Sequence, residues 1–199
     1  RLDLSNRLYG ANTRRFGHVV LCAAWCSRPP TLAAMDIQTL GYWLNTRDRG
    51  DAETIAVVLH ADAGRFEGTV KTLKMRRLSY HYYIRKDGAV FKFAPAARAA
   101  QHCGATYLYG GLKISNSNSI GVCLENLNDG KDPYTDEQRV ALKELLGEIV
   151  AAVPSIRYLT THRDISYPRK TDPKGFEGVD RIAALFDLAY WTRPGVPAA

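Results

Sequence analysis

The chain has 199 residues, 46% of them apolar and 24% charged, and carries a formal charge of +7. A chain of this size makes one domain that buries roughly 70% of its unfolded surface without needing a disulfide or a metal, and no apolar run approaches the roughly 20 residues that span a bilayer. The positive charge favours acidic partners, whether nucleic acid, anionic headgroups or acidic wall polymers, and does not choose among them.

Residues 1–51 read as an accessory segment packed on the main domain. They hold an apolar run from His18 to Trp25, a Pro29-Pro30 break and a helix expected from about Met35 to Leu44. Thr54 to Leu59 is a short run of branched apolar residues, the pattern of a strand buried on both faces, and His60 stands at its end. Glu67 to Arg77 has helical spacing; its basic residues Lys71, Lys74, Arg76 and Arg77 read as a solvated face. Tyr80–Arg85 and Ala89–Phe93 flank Lys86-Asp87-Gly88, a hairpin signal. Ser119–Leu124 is another apolar strand, followed by Glu125. Tyr134–Val153 has a strong helical period, with Thr135 and Gln138 spaced as a capping box. Arg157–Thr160 reads as a strand and Gly178–Tyr190 as a last helix, before a loose tail from residue 191 to 199. Strands alternating with helices predict an α/β domain over residues 52–190, a central mixed sheet flanked by helices, with ligands at the carboxyl ends of the strands.

The cysteines, Cys22, Cys26, Cys103 and Cys123, form no C-x-x-C pair and no zinc-finger spacing, which argues against a structural zinc. On one strand Cys22 and Cys26 would stand about 13 Å apart, beyond the roughly 7 Å limit for a disulfide. Cys103 and Cys123 read as small buried residues. The first residue is Arg1 rather than Met, a hint of upstream processing and so of export.

The chemistry concentrates in Thr161 to Pro173, where an imidazole, an ammonium and a carboxylate share one turn-rich stretch. With His60 it offers two imidazoles and one carboxylate, the set that holds a catalytic zinc and leaves a position open for water. Between Pro168 and Pro173 the chain should be extended, so Lys170 and Asp172 face the same space without forming a bare ion pair.

Six segments in order, Val57-Val58-Leu59-His60, Ser79-Tyr80-His81-Tyr82, Arg85-Lys86-Asp87-Gly88, Gln101-His102-Cys103-Gly104, Asn118 to Val122 and Thr161-His162-Arg163-Asp164 to Asp172, resemble the type 2 N-acetylmuramoyl-L-alanine amidases. Phage amidase-type lysozymes and peptidoglycan recognition proteins share that superfamily. The resemblance implies one zinc ion on His60, His162 and Asp172, with Glu125 beside the activated water as general base and then acid, and Lys170 facing the substrate carbonyl. It places Tyr80 where phage-type members carry a site tyrosine, either a second candidate for that role or a substrate contact, and His102 in the substrate groove. Asn126 joins them as a polar neighbour of the groove. His81, on the opposite strand face from Tyr80, is structural. Two departures stand out: Gln101 where many members have tryptophan, and Ala61-Asp62 after His60 where a second His and a hydroxyl residue are common.

The expected function is zinc-dependent hydrolysis of the bond between N-acetylmuramic acid and L-alanine, in peptidoglycan or muropeptides, by a monomer in a periplasmic or secreted location, with a cytoplasmic or phage-lysin setting as the alternative. The alternative is a recognition module that binds peptidoglycan without cutting it. A nucleic-acid role is not expected, because the aromatic residues do not interleave with Lys and Arg as a stacking platform.

Overall fold

A computed structural model describes residues 35–39 and 45–197. The His18–Trp25 run, the Pro29-Pro30 break, Cys22 and Cys26 lie outside those residues. The described elements run β1 Ile37–Thr39, β2 Thr46–Asp48, β3 Ala56–Ala61, α1 Phe66–Arg76, β4 Tyr82–Ile84, β5 Val90–Lys92, β6 Arg98–Ala100, β7 Ser119–Leu124, α2 Asp136–Ala152, β8 Tyr158–Thr161, α3 His162–Ser166, α4 Val179–Ala184 and β9 Ala189–Tyr190. A seven-stranded sheet has the order β1-β5-β4-β7-β3-β8-β9, and β2 pairs with β6 in a separate ribbon. Only the β4–β5 hairpin is antiparallel in the large sheet, so the sheet is mixed, as expected. Among the described residues no helix is long and apolar enough to cross a membrane.

Alternation along the central strands gives their two faces different roles. Val57, Leu59 and Ala61 of β3 and Ile120, Val122 and Leu124 of β7 pack with Leu142, Leu145, Leu146 and Ile149 of α2 in the main core. Their neighbours Ala56, Val58 and Cys123 enter smaller clusters on the other face, and His60 shares that parity. The helix-covered face therefore supplies stability while the opposite face carries His60. The Thr135–Gln138 capping box forms as its spacing requires, each side chain bonding the other's backbone N–H.

Two expected helices are corrected. Ile37–Thr39 is a strand paired in parallel with β5 rather than the start of a helix over Met35–Leu44; a free sheet edge outweighs helical spacing in a segment containing β-branched Ile37 and Thr39. The last helix stops at Ala184 instead of reaching Tyr190. Asp187 turns left-handed (φ 54°) and Ala189–Tyr190 joins the sheet beside β8. The segment after Trp191, expected to be loose, is tied at its start: Thr192 Oγ1 donates to Asp164 (3.0 Å) and Arg193 to the Tyr167 carbonyl.

Candidate active site

His60, His162 and Asp172 come together on the sheet face away from α2. His60 is the fifth residue of β3 and fully buried. His162 is the first residue of α3, a single turn whose N-cap Thr161 accepts from the Asp164 N–H. Asp172 is brought alongside because its carbonyl accepts from Arg163 N at 2.8 Å, folding the 167–173 stretch back onto α3. One ligand atom from each of the three residues lies within 4.8 Å of the others. Asp172 Oδ2 stands 3.1 Å from His162 Nδ1 and 3.4 Å from His60 Nδ1.

The electrostatics suit a cation. Burial pushes the His60 imidazole down to about 4, with His162 nearby adding to the effect, so the ring is neutral at pH 7. Asp172 is buried with its carboxylate facing the Nδ1 atoms of His162 and His60, so a cation held among the three would offset the cost of burying its charge. His60 Nδ1 is buried and makes no hydrogen bond, a cost of about 1–3 kcal/mol for a group with no partner. Two imidazoles and a carboxylate with converging lone pairs match the ligand set of an open zinc site, and the orphaned Nδ1 is the atom such an ion would satisfy.

A cavity of about 570 Å³ opens over this cluster, and Tyr80, His102, His162, Lys170 and Asp172 line it. Lys170 and Asp172 share this space, as their spacing predicts. The Tyr80 ring lies 5.1 Å from that of His60, and burial raises its phenol well above the ordinary range. His102 is at the cavity wall but its ring nitrogens are engaged by protein, Nδ1 with His60 Nε2 (3.0 Å) and Nε2 with Ser119 Oγ (3.3 Å). His81 lies behind the sheet face, with Nδ1 accepting from Gly121 N, the structural role expected of it.

Two expected site residues are placed elsewhere. Glu125 does not line the cavity; its Oε1 accepts from Phe66 N (3.2 Å) and its Oε2 from Lys86 N (2.9 Å). The register explains why. His60 pairs with Cys123, whereas Glu125 lies two residues further along the same face, ~7 Å away. Its role there is to cap a helix. Arg65 gives α1 no side-chain cap, and Glu125 takes the exposed Phe66 N–H in its stead. Asn126 is fully buried, its Nδ2 donating to Asp132 O and its Oδ1 accepting from Asn128 N; Asn128 reaches the cavity instead.

Further residues line the cavity beyond those expected of the site. Gly68, Thr72 and Arg76 line it from one face of α1 at i, i+4 and i+8, so the exposed Arg76 borders the cavity as well as solvent. Arg169 also lines it, with a guanidinium donating to the carbonyls of Cys103 (2.8 Å) and Ala105 (2.6 Å). No periodicity marks a coil arginine; only its neighbourhood to Lys170 could have drawn attention.

The fold and the converging donors define an α/β domain with three residues on one sheet face that could hold a metal ion. The chain belongs to the N-acetylmuramoyl-L-alanine amidase family (Amidase_2), whose sequence model matches residues 51–175. The 1,6-anhydro-N-acetylmuramyl-L-alanine amidase AmpD of Salmonella typhimurium LT2 is 37% identical over 116 residues, 57% of this chain and 59% of that protein. The N-acetylmuramoyl-L-alanine amidase AmiD of Escherichia coli K12 is 29% identical over 160 residues, 69% of this chain and 56% of AmiD. The chain thus spans under two thirds of these curated relatives. Among solved structures, a selenomethionine derivative of AmpD superposes with a TM-score of 0.62 at 25% identity, covering 77% of this chain and 95% of that one. E. coli AmiD in complex with anhydro-N-acetylmuramic acid-L-Ala-D-gamma-Glu-L-Lys shares the fold, with a TM-score of 0.59 at 23% identity over 74% of this chain and 63% of that one.

Proposed function

We propose that this chain is a zinc-dependent N-acetylmuramoyl-L-alanine amidase, hydrolysing the amide between the lactyl group of N-acetylmuramic acid and L-alanine. The observation that carries this reading is the buried, unpartnered His60 Nδ1 converging with His162 and Asp172 at a cavity that Tyr80 and Lys170 also line. Zinc held by these three residues supplies Lewis acidity that polarises the amide carbonyl and acidifies a water.

The chain's own groups do the rest. The His60 ring is neutral and keeps a lone pair for the ion. The Lys170 ammonium and the Tyr80 hydroxyl are among the cavity groups able to donate to the oxyanion that forms at the carbonyl, and burial keeps the Tyr80 phenol protonated for that purpose. Glu125, with both oxygens engaged by backbone donors, is assigned to holding α1 and the β4–β5 turn rather than to proton transfer.

The names of the relatives make a soluble anhydromuropeptide the natural probe, beside intact sacculi as the wall substrate that goes with a periplasmic or secreted location. Products are followed by mass spectrometry with and without chelator. Peptide with a free L-alanine amino group should appear and vanish on chelation; undiminished release in excess chelator would sink the reading. Tight binding of either substrate with no release, in zinc-loaded protein, would favour the non-catalytic recognition module.

A further inference from the structure

All four described histidines touch one another in a buried file. The His162 and His60 ring centroids are 4.5 Å apart, those of His60 and His102 5.1 Å, and those of His102 and His81 5.6 Å. The far end of the hydrogen-bond chain fixes its direction. Ser119 Oγ donates to Ser115 O at 2.5 Å, and a carbonyl can only accept. The Ser119 oxygen is then free to receive the His102 Nε2–H at 3.3 Å. That leaves a lone pair on His102 Nδ1, which receives the His60 Nε2–H at 3.0 Å with the weakly donating Cys103 thiol beside it at 3.2 Å. His60 Nδ1 is consequently bare, and it is the nitrogen turned toward Asp172.

The same segment sets the second imidazole. His162 Nε2 lies 2.9 Å from the Cys103 carbonyl, again an acceptor only, so His162 also presents a bare Nδ1 to Asp172. The His102-Cys103 pair is itself held from behind. Asn116 Oδ1 accepts both backbone N–H groups, at 3.0 and 2.7 Å, and Arg169 donates to the Cys103 carbonyl at 2.8 Å. Gly121 makes room for the ring, since a Cβ there would come within 2.7 Å of His102 Cγ and Nδ1.

We infer that His102 is a positioning residue for the metal centre: with the Cys103 carbonyl it locks both histidine ligands into the tautomer that leaves Nδ1 free, and Asn116, Ser119 and Gly121 hold it in place. This rests on the reading that His60, His162 and Asp172 bind zinc, and it replaces the expectation that His102 serves substrate directly. Partners that orient a ligating imidazole are worth 10–100-fold in metal affinity.

The test measures zinc affinity by competition with a chromogenic chelator, and the His60 tautomer by 15N NMR of the metal-free protein. His102→Leu should weaken zinc 10–100-fold and let His60 populate the other tautomer. His102→Asn, which can place an acceptor oxygen near the Nδ1 position, should recover most of the affinity. Gly121→Ala, which leaves every polar group in place but displaces the ring, should weaken zinc in the same direction. If His102→Leu fails to fold, Ser119→Ala removes only the end of the chain and should still mix the His102 tautomers and lower affinity several-fold. Wild-type zinc affinity and an unchanged His60 tautomer in these variants, with only KM for muropeptide altered, would overturn the inference. Zinc-loaded wild type that releases no peptide would reject the amidase reading alone, because the tautomer and affinity measurements need no turnover.

Discussion

Two carboxylate clusters sit at the carboxyl ends of neighbouring strands, and they differ in what their partners leave unsatisfied. Around Glu125 and Asp62, just beyond the last paired residues of β7 and β3, every carboxylate oxygen is occupied. Glu125 takes two backbone N–H groups, and Asp62 takes the hydroxyls of Tyr83 and Thr69 with the N–H groups of Asn126 and Gly64. Around Asp172 the acceptors outnumber the donors, and a buried imidazole nitrogen has no partner. The saturated cluster fastens α1 and two turns to the sheet; the unsaturated one retains binding capacity for an ion. Both are acidic, at least half-buried and near His60, so position alone could not separate them.

Substitutions that exchange the two behaviours test this contrast. Asp172→Ala has the largest expected effect: zinc is lost and peptide release falls by at least ~10³-fold, since the residual turnover would come from binding and orientation alone. Retention of stoichiometric zinc in that variant would show the ligand set to be wrong. Next comes Tyr80→Phe, expected to lower kcat by roughly 10²-fold with zinc retained, the usual cost of one oxyanion donor. Glu125→Gln should do the reverse, keeping kcat within a few fold while unfolding more easily by about 1–3 kcal/mol, because one backbone N–H loses its charged acceptor. A loss of kcat in Glu125→Gln comparable to that of Tyr80→Phe, at unchanged stability, would restore Glu125 as the general base.

How much of the fold and site is legible in the sequence follows from which interactions are local. The β3 and β7 strands and the capping box on α2 are written in runs and spacings of a few residues, whereas the set of His60, His162 and Asp172 is legible through the order of motifs the chain shares with its family, and the structure brings the three together. Glu125 was misplaced because the decisive fact is a register, His60 against Cys123, that no periodicity within β7 reveals. The helix expected from Met35 gives way to a strand over Ile37–Thr39 for the same reason, a sheet edge supplied by β5 some fifty residues away, while its remainder to Leu44 lies outside the described residues. His102 stands out in sequence as a site residue, but its role depends on Ser119 and Gly121 of another strand.

Acid should separate the file of histidines from the rest of the fold. Burial lowers His60 to about 4 and His81 to about 3, from 6.5 in an unfolded chain. Between roughly pH 6.5 and 4 the unfolded chain therefore binds more protons than the folded one, so stability of the metal-free protein must fall as pH drops through that window and be flat above it. Thermal melts of metal-free protein from pH 8 to 4 measure this. Zinc at 100 times its Kd should raise stability by about 2.7 kcal/mol at neutral pH, and progressively less as protons compete for the ligands. A melting temperature independent of pH below 6.5 would mean that the imidazoles are not buried as neutral groups.

The smallest effect distinguishes the two sides of α1. Arg76 lines the cavity, whereas Lys71 on the same helix is exposed and does not. An exposed guanidinium at the cavity wall acts on a charged ligand through a screened field, so Arg76→Ala should raise KM for an acidic muropeptide only several-fold, with kcat unchanged. Lys71→Ala, which removes the same charge from the chain, should leave KM within error. Raising salt from about 50 to about 500 mM should erase the difference between wild type and Arg76→Ala, since a Debye length of about 10 Å at 0.1 M shrinks further. Equal effects of the two substitutions would assign the basic residues of α1 to a general attraction and remove Arg76 from the cavity's specificity.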